Sequence, residues 1–408
     1  MSSQNPWDWL NVRYSNDDLA QFTLIFDGVE DAAARLQSEN VADLRLALII
    51  ADYLTDVLLG RRIQSLIALS ERGFVWEARE QFDSETRGRL RQGFNKRLTL
   101  AARPYEAKFT YGLGDPILEP GDAAVLRVAH AYRNDVYHED RHPSTIRTIA
   151  SAALHALVGA WQGSLPDAFA STWGAQRPLM HRLEAIGYTS PEWAGKGSLS
   201  LHAGAAAVAA WLDAVAPLNL GERRRELASD IEARVGWAAS MIEWLSGWNG
   251  PGRDHIEPAL RWTDFWRQHG DDPQLIALDT DRRSALEQLV EADEDARERL
   301  REEIRRCEQA HAARLQELRL GYKPSVSLGA LPQLGKRGAG LRQAKTIGAL
   351  LTRYRGLEME LRVFEEALAE VAIGWDQHVD REVDRARGKT PALTWTDEDG
   401  SEHIVYLD

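Results

Sequence analysis

Apolar residues recur along most of this chain at three- and four-residue steps, the spacing that gives a helix one buried face. From Leu44 to Leu69 the segment is apolar nearly all round, with Leu48, Ile49, Leu54, Leu58, Leu59, Ile63 and Leu66 on different sides. Such a helix is buried against several neighbours, inside a bundle or between subunits. Asp52, Tyr53 and Asp56 interrupt it. Asp52 and Asp56 share a face, which reads either as a hold on an arginine or histidine of another helix or as a solvated stripe. A more polar helix containing Phe94-Asn95-Lys96-Arg97-Leu98 comes next, and Val125, Val128, Ala129, Tyr132 and Val136 mark a third, amphipathic one. His142-Pro143-Ser144 makes a break and an N-cap. Ile146, Ile149, Ala153, Leu154, Leu157 and Trp161 then define a last helix over about 144–162, within which His155 reads as structural.

On either side of this block the pattern changes. Residues 1–42 are acidic, with Arg13 and Arg35 against seven Asp/Glu. Phe22-Thr23-Leu24-Ile25-Phe26 ahead of Asp27-Gly28 predicts a short strand and turn, in an N-terminal extension pinned by Trp7 and Trp9 and without chemistry. The chain loosens from Gly163 to Asp167, closing a domain over 43–165. Residues 168–280 hold Trp173, Trp193, Trp211, Trp237, Trp244, Trp248, Trp262 and Trp266 on helical stretches at 203–216, 221–247 and 257–268. Tryptophans at that density line a pocket or groove or, the default reading, fill the core of a small helical domain. Residues 281–319, with an apolar seam broken by acids around Asp293, and residues 341–386 predict two long helices forming a hairpin across 281–386. Between them Gly329–Gly340 reads as a glycine-rich basic loop. Its Gly335-Lys336-Arg337-Gly338 lacks the spacing, the preceding strand and the Ser/Thr of a phosphate loop, and is taken as a connector able to touch a phosphate. Residues 390–408 predict a small β-hairpin, Ala392–Thr396 against His403–Leu407. The expected fold class is mainly α.

A chain of 408 residues has ample core for two or three domains. No run approaches membrane-spanning length, and the first residues lack the basic-then-apolar form of a signal peptide. The single cysteine, Cys307, rules out an internal disulfide and fits a reducing cytosol. A cytoplasmic protein without membrane attachment is expected. The net charge of −13 argues against a generic nucleic-acid coat, so any RNA contact requires a local basic patch. One exists: Arg87, Arg89, Arg91, Lys96, Arg97, Arg103 and Lys108 stand against only Glu85 and Glu106. It would hold an RNA backbone, or be a solvated helix face. Tyr105, Phe109 and Tyr111 follow, placed to stack on an unpaired base or to close over a core. No His-Glu-x-x-His, paired cysteines or Gly-x-Ser-x-Gly elbow occurs, so neither metal nor cofactor is expected.

The third helix of the block carries the candidate chemistry, Arg133-Asn134-Asp135-Val136-Tyr137-His138. Asn134 and His138 are four apart on one face, and Arg133 is one position away. A fixed cation, a titratable base and an amide to orient either are the parts that cleave a phosphodiester without a metal. His130, three positions before Arg133, is a candidate assistant.

Arg133-Asn134-x3-His138, near the end of the third of four helices, resembles the R-x4-6-H motif of the HEPN superfamily, including an asparagine directly after the arginine. The resemblance covers roughly residues 40–165 and implies a HEPN four-helix bundle. It implies a metal-independent endoribonuclease in which His138 accepts the 2′-hydroxyl proton, Arg133 neutralises the charged phosphorane and Asn134 orients one or both. Products would carry 2′,3′-cyclic phosphate and 5′-hydroxyl ends. One Arg/His pair lacks a proton donor for the leaving oxygen, which family members supply by dimerising, so a homodimer is implied. The remaining regions would then act as a sensor or restraint, as in bacterial toxin and abortive-infection (anti-phage) effectors, with an antitoxin or phage-derived trigger as partner. The alternative is a catalytically silent HEPN domain that binds nucleotide or RNA within a helical scaffold or regulatory partner protein.

Overall fold

The structure, a computed structural model, describes residues 16–71, 93–104, 116–135, 143–165, 170–171, 177–190, 198–247, 250–291, 294–387, 391–396 and 402–406. It is mainly helical and divides into two compact units, one of residues 1–228 with 340–355 and one of residues 229–339 with 356–408. Among the described residues no single helix is long and apolar enough to cross a membrane.

The first unit is built around α2 (Val41–Glu71). As its all-round apolar surface predicts, α2 packs on four helices: α1 (Asn16–Leu36), α3 (Phe94–Ala101), α4 (Pro120–Asp135) and α5 (Pro143–Ser164). Leu44, Leu48, Leu54, Leu59 and Leu66 are all essentially inaccessible to solvent. The other hub, α5, also touches α1, α4 and α7 (Leu201–Val215), while α3 touches α4. Short α6 (Arg177–Ala185) lies on α7, and Ala170–Ser171 (β1) pairs antiparallel with Ser198–Leu199 (β2).

The strand expected at Phe22–Phe26 is instead the middle of α1. Phe22, Ile25, Phe26, Val29, Ala32, Ala33 and Leu36 are buried at helical spacing, so packing against α2 and α5 overrides a run of β-prone residues. This segment is part of the core of its unit.

The opening turns of α13 (Ile347–Ala386) complete the first unit. A Cβ on Gly348 would lie 2.4 Å from the Gly121 carbonyl oxygen, so the glycine is what permits this approach to the start of α4. Tyr354 exchanges a hydroxyl hydrogen bond with Thr145 at 3.3 Å. Arg355 stands 4.7 Å over the ring of Tyr132, which is fully buried. The residue preceding Arg133 is thereby anchored.

The second unit takes in most of α8 (Leu220–Ser246), then α9 (Arg253–His269), α10 (Pro273–Glu291), α11 (Glu294–Gly321), α12 (Leu331–Ala339) and the rest of α13. The long helix expected over 281–319 is two helices, α10 and α11, packed on each other, with residues 292–293 between them outside the described ones. They are joined by Arg314 to Asp272 at 2.7 Å and Arg282 to Glu308 at 3.3 Å. Gly329–Gly340, expected as a loop, is largely helical: Leu331 and Leu334 are buried, and Gly338 fits where a Cβ would meet Ile231 at 2.5 Å. Arg337 makes a bidentate pair with Glu360, both contacts at 2.7 Å, so its cation is matched by a carboxylate. Arg234 likewise forks onto Glu365 at 2.7 Å.

Asp264 ties α9 to the segment after α11. It is 2% exposed and accepts from the Ser325 amide at 2.6 Å, the Ser325 hydroxyl at 2.5 Å, the Tyr322 hydroxyl at 2.8 Å and Gln268 at 3.2 Å. Burial pushes its carboxyl up, but these donors together outweigh it and hold it below the usual carboxylate range. Burial, then the bond to Asp264, pushes the Tyr322 hydroxyl up.

Among the described residues, the tryptophans of 168–280 are not fully buried. Trp237 and Trp244 are 45% and 48% exposed, and Trp211, Trp262 and Trp266 are partly so; Trp173, Trp193 and Trp248 lie outside the described residues. Leucine, isoleucine and alanine fill the interior instead. Pro391–Thr396 (β3) and Glu402–Tyr406 (β4) pair antiparallel, and the turn expected at Asp397–Gly400 lies outside the described residues.

Candidate functional site

Three helices of the first unit bring the site's side chains together by the same device, residues three or four positions apart on one face. Helix α2 offers Asp52 and Asp56, α3 offers Phe94 and Arg97, and α4 offers His130 with Arg133 and Asn134.

Asp52 is the centre of the group. It is 7% exposed and faces two partners on α4: His130 Nδ1 lies 2.9 Å from Oδ1, and Arg133 Nε lies 3.6 Å from Oδ2. A carboxylate in so little water needs such partners, because an unpaired buried charge is costly. Since the carboxylate can only accept, Nδ1 of His130 carries the hydrogen. The imidazole is also stacked flat on Phe94, centroids 3.9 Å apart and planes 6° from parallel. One face and one edge of the ring are thus fixed by the fold. The side chain is still 24% accessible, and Nε2 is the nitrogen left for exchange with anything outside.

Arg133 is 41% exposed. Its Nη1 donates to Oδ1 of Asn134 at 3.1 Å, so the amide next in sequence does steady the guanidinium. Its Nε has no hydrogen-bond partner among the described residues; the Asp52 contact is electrostatic at its distance. That nitrogen is itself buried, so a further anion would meet the guanidinium only through the exposed part of the side chain. Asp56 is held by Arg97 of α3, and among the described residues it is Asp52 that meets the motif helix.

Of the expected site residues, Arg133 and Asn134 are together, and His138 lies outside the described residues. Of the expected RNA-binding residues, Lys96 is exposed, and Arg97 is turned onto Asp56 with 16% of its side chain accessible. Arg87, Arg89 and Arg91 lie outside the described residues, as do Tyr105, Phe109 and Tyr111. Sequence reasoning left Asp52 and His130 open and missed the Phe94 stack. The four-residue spacing of the two acids was the available signal. Among the described residues no three His, Cys, Asp or Glu side chains converge as metal ligands.

A polar cleft of about 330 Å³ elsewhere in the unit is lined by Gln37, Arg147, Ser151 and Arg223 among others. Both arginines are already engaged, Arg147 by the Ser38 carbonyl at 2.8 Å and Arg223 by Glu226 at 2.7 Å.

Compared with known protein families, characterised proteins and solved structures, the chain matches none.

Proposed function

We propose that this protein is a metal-independent endoribonuclease of HEPN type, with Arg133, Asn134 and His138 as its catalytic residues. The observation that carries the reading is the state of Arg133. Its guanidinium is oriented by Asn134 and by the buried Asp52, yet the side chain stays 41% exposed. A preoriented cation of that kind stabilises charge developing on phosphorus without reorganising at the moment of reaction. The mutual packing of α2, α3, α4 and α5 supports a HEPN four-helix bundle, which α1 would extend by one helix.

In the reaction, His138 takes the proton from a ribose 2′-hydroxyl and the 2′-oxygen attacks phosphorus. The bond to the 5′-oxygen breaks, leaving 2′,3′-cyclic phosphate and 5′-hydroxyl ends. Arg133 carries the charge of the phosphorane. Exposed Lys96, with Arg87, Arg89 and Arg91, tracks the RNA backbone. Two copies associate, and the second unit serves as sensor or restraint on a cytoplasmic toxin or anti-phage abortive-infection effector, answering to an antitoxin or a phage-derived trigger.

The test is incubation of the purified protein with total RNA in EDTA, followed by end-group analysis, beside His138→Ala. Cleavage to cyclic-phosphate ends by the wild type and not by the variant is expected. Binding of RNA without cleavage would leave a silent HEPN binding domain, and a magnesium requirement would remove the 2′-hydroxyl mechanism.

A further inference from the structure

The Arg133/His138 pair provides a cation and a base, but expulsion of the 5′-oxygen also requires a proton. We infer that His130 supplies it from within the same chain, with Asp52 as its positioning residue; the inference rests on the function proposed above and assigns one more catalytic residue to that site.

The geometry is that of a built proton donor rather than a packed core histidine. Asp52 accepts the Nδ1 hydrogen at 2.9 Å, which leaves Nε2 as the only ring nitrogen able to exchange a proton with a bound molecule. The flat stack on Phe94 at 3.9 Å fixes the plane of the ring, and the hydrogen bond to Asp52 sets which way Nε2 points within that plane. The same carboxylate faces Arg133 through its other oxygen, so one buried group registers the imidazole and the phosphate-binding cation against each other. This is the second-sphere logic by which carboxylates orient working histidines. His130 and Arg133 are also three apart on α4, and so on one side of it.

The step balances as follows. The 2′-hydroxyl proton passes to His138 as the new O2′–P bond forms. The P–O5′ bond breaks with its electron pair on O5′, and the Nε2 proton of His130 moves to that oxygen. His130 is left neutral, with its Nδ1–H still donated to Asp52, and the two histidines are reset by exchange with water.

The leaving group itself is the test. A 5′-oxygen needs a proton to depart, whereas a bridging 5′-sulfur departs as a thiolate without one. Two otherwise identical oligoribonucleotides, one with an oxygen and one with a sulfur at the scissile 5′ position, are cleaved in EDTA by full-length wild type, His130→Asn, His130→Gln, Asp52→Asn and His138→Ala. General acid catalysis contributes about 100-fold or more. Both His130 variants are therefore expected to lose at least about that factor on the oxygen-linked substrate and to stay within a few-fold of wild type on the sulfur-linked one. Asp52→Asn, which also loosens Arg133, should slow both substrates and the oxygen-linked one more, and His138→Ala should lose both substrates. Equal losses on the two substrates would make His130 a structural residue and overturn the inference. So would wild-type rates in both His130 variants, with the proposed function left standing. A wild-type protein that cleaves neither substrate sinks the proposed function, and this inference with it.

Discussion

At the scale of single residues the site turns on Asp52, a carboxylate 7% exposed that is matched by His130 and Arg133. Hydrogen bonds to a charged buried group are worth about 1.5–3 kcal/mol. Asp52→Ala should thus lower stability by roughly 2 kcal/mol in urea unfolding, and a change within about 0.5 kcal/mol would mean that the pair is a surface contact in solution. Asp52 and Asp56 could be placed on one face from their spacing, and Arg133 and Asn134 from the motif. Which cation meets which acid could not be read. Asp52 and His130 are 78 positions apart, and their meeting depends on how α2 and α4 are rotated against each other. For the same reason Arg97, counted with the basic patch, could not be recognised as the partner of Asp56.

At the scale of elements, the helices whose apolar residues outnumber their ambiguities were legible: α2, α5 and the helical stretches near α7, α8 and α9. The failures have a common cause, which is that local preference was trusted where burial decides. Phe22–Phe26 is β-prone as a pentapeptide yet sits in a helix that buries Phe22, Ile25 and Phe26. Gly329–Gly340 is rich in helix-weakening glycine, yet Gly338 is what lets α12 approach Ile231. The glycine at 348 makes the sharpest forecast of this kind. Gly348→Ala puts a methyl 2.4 Å from the Gly121 carbonyl oxygen, where backbone must move. Overpacking should cost about 1–3 kcal/mol, read as a lowered melting temperature; an unchanged melt would show that α13 does not approach α4 so closely. Asp264 yields a pH forecast. Its folded-state carboxyl lies below the ordinary value of 3.8, so its contribution to stability is complete above that value and is lost as pH falls below it. Asp264→Asn should be less stable than wild type at pH 7, and the gap should narrow in denaturant unfolding as pH falls below 3.8. A gap that stays constant would mean that the Ser325 and Tyr322 donors do not favour the charged form.

At the scale of the whole molecule, the proposed function has to reconcile RNA with a net charge of −13, and so requires contact through a confined basic patch and not along the chain. The reading as a homodimer predicts a light-scattering mass about twice 45.8 kDa under cleaving conditions. A monomer that cleaves would contradict the homodimer and would show that one chain carries every group the reaction needs. The exposed Trp237 and Trp244 belong to the second unit, and composition alone had assigned such residues to a core. The claim on which the rest depends is that Arg133 serves chemistry. The most direct test is single-turnover cleavage of a labelled RNA in EDTA by wild type and Arg133→Ala, with melting followed for both. The account predicts 2′,3′-cyclic phosphate ends from the wild type and at least about a 100-fold slower reaction from an intact, folded variant. Cleavage at the wild-type rate by Arg133→Ala, or RNA left whole by the wild type, would contradict it.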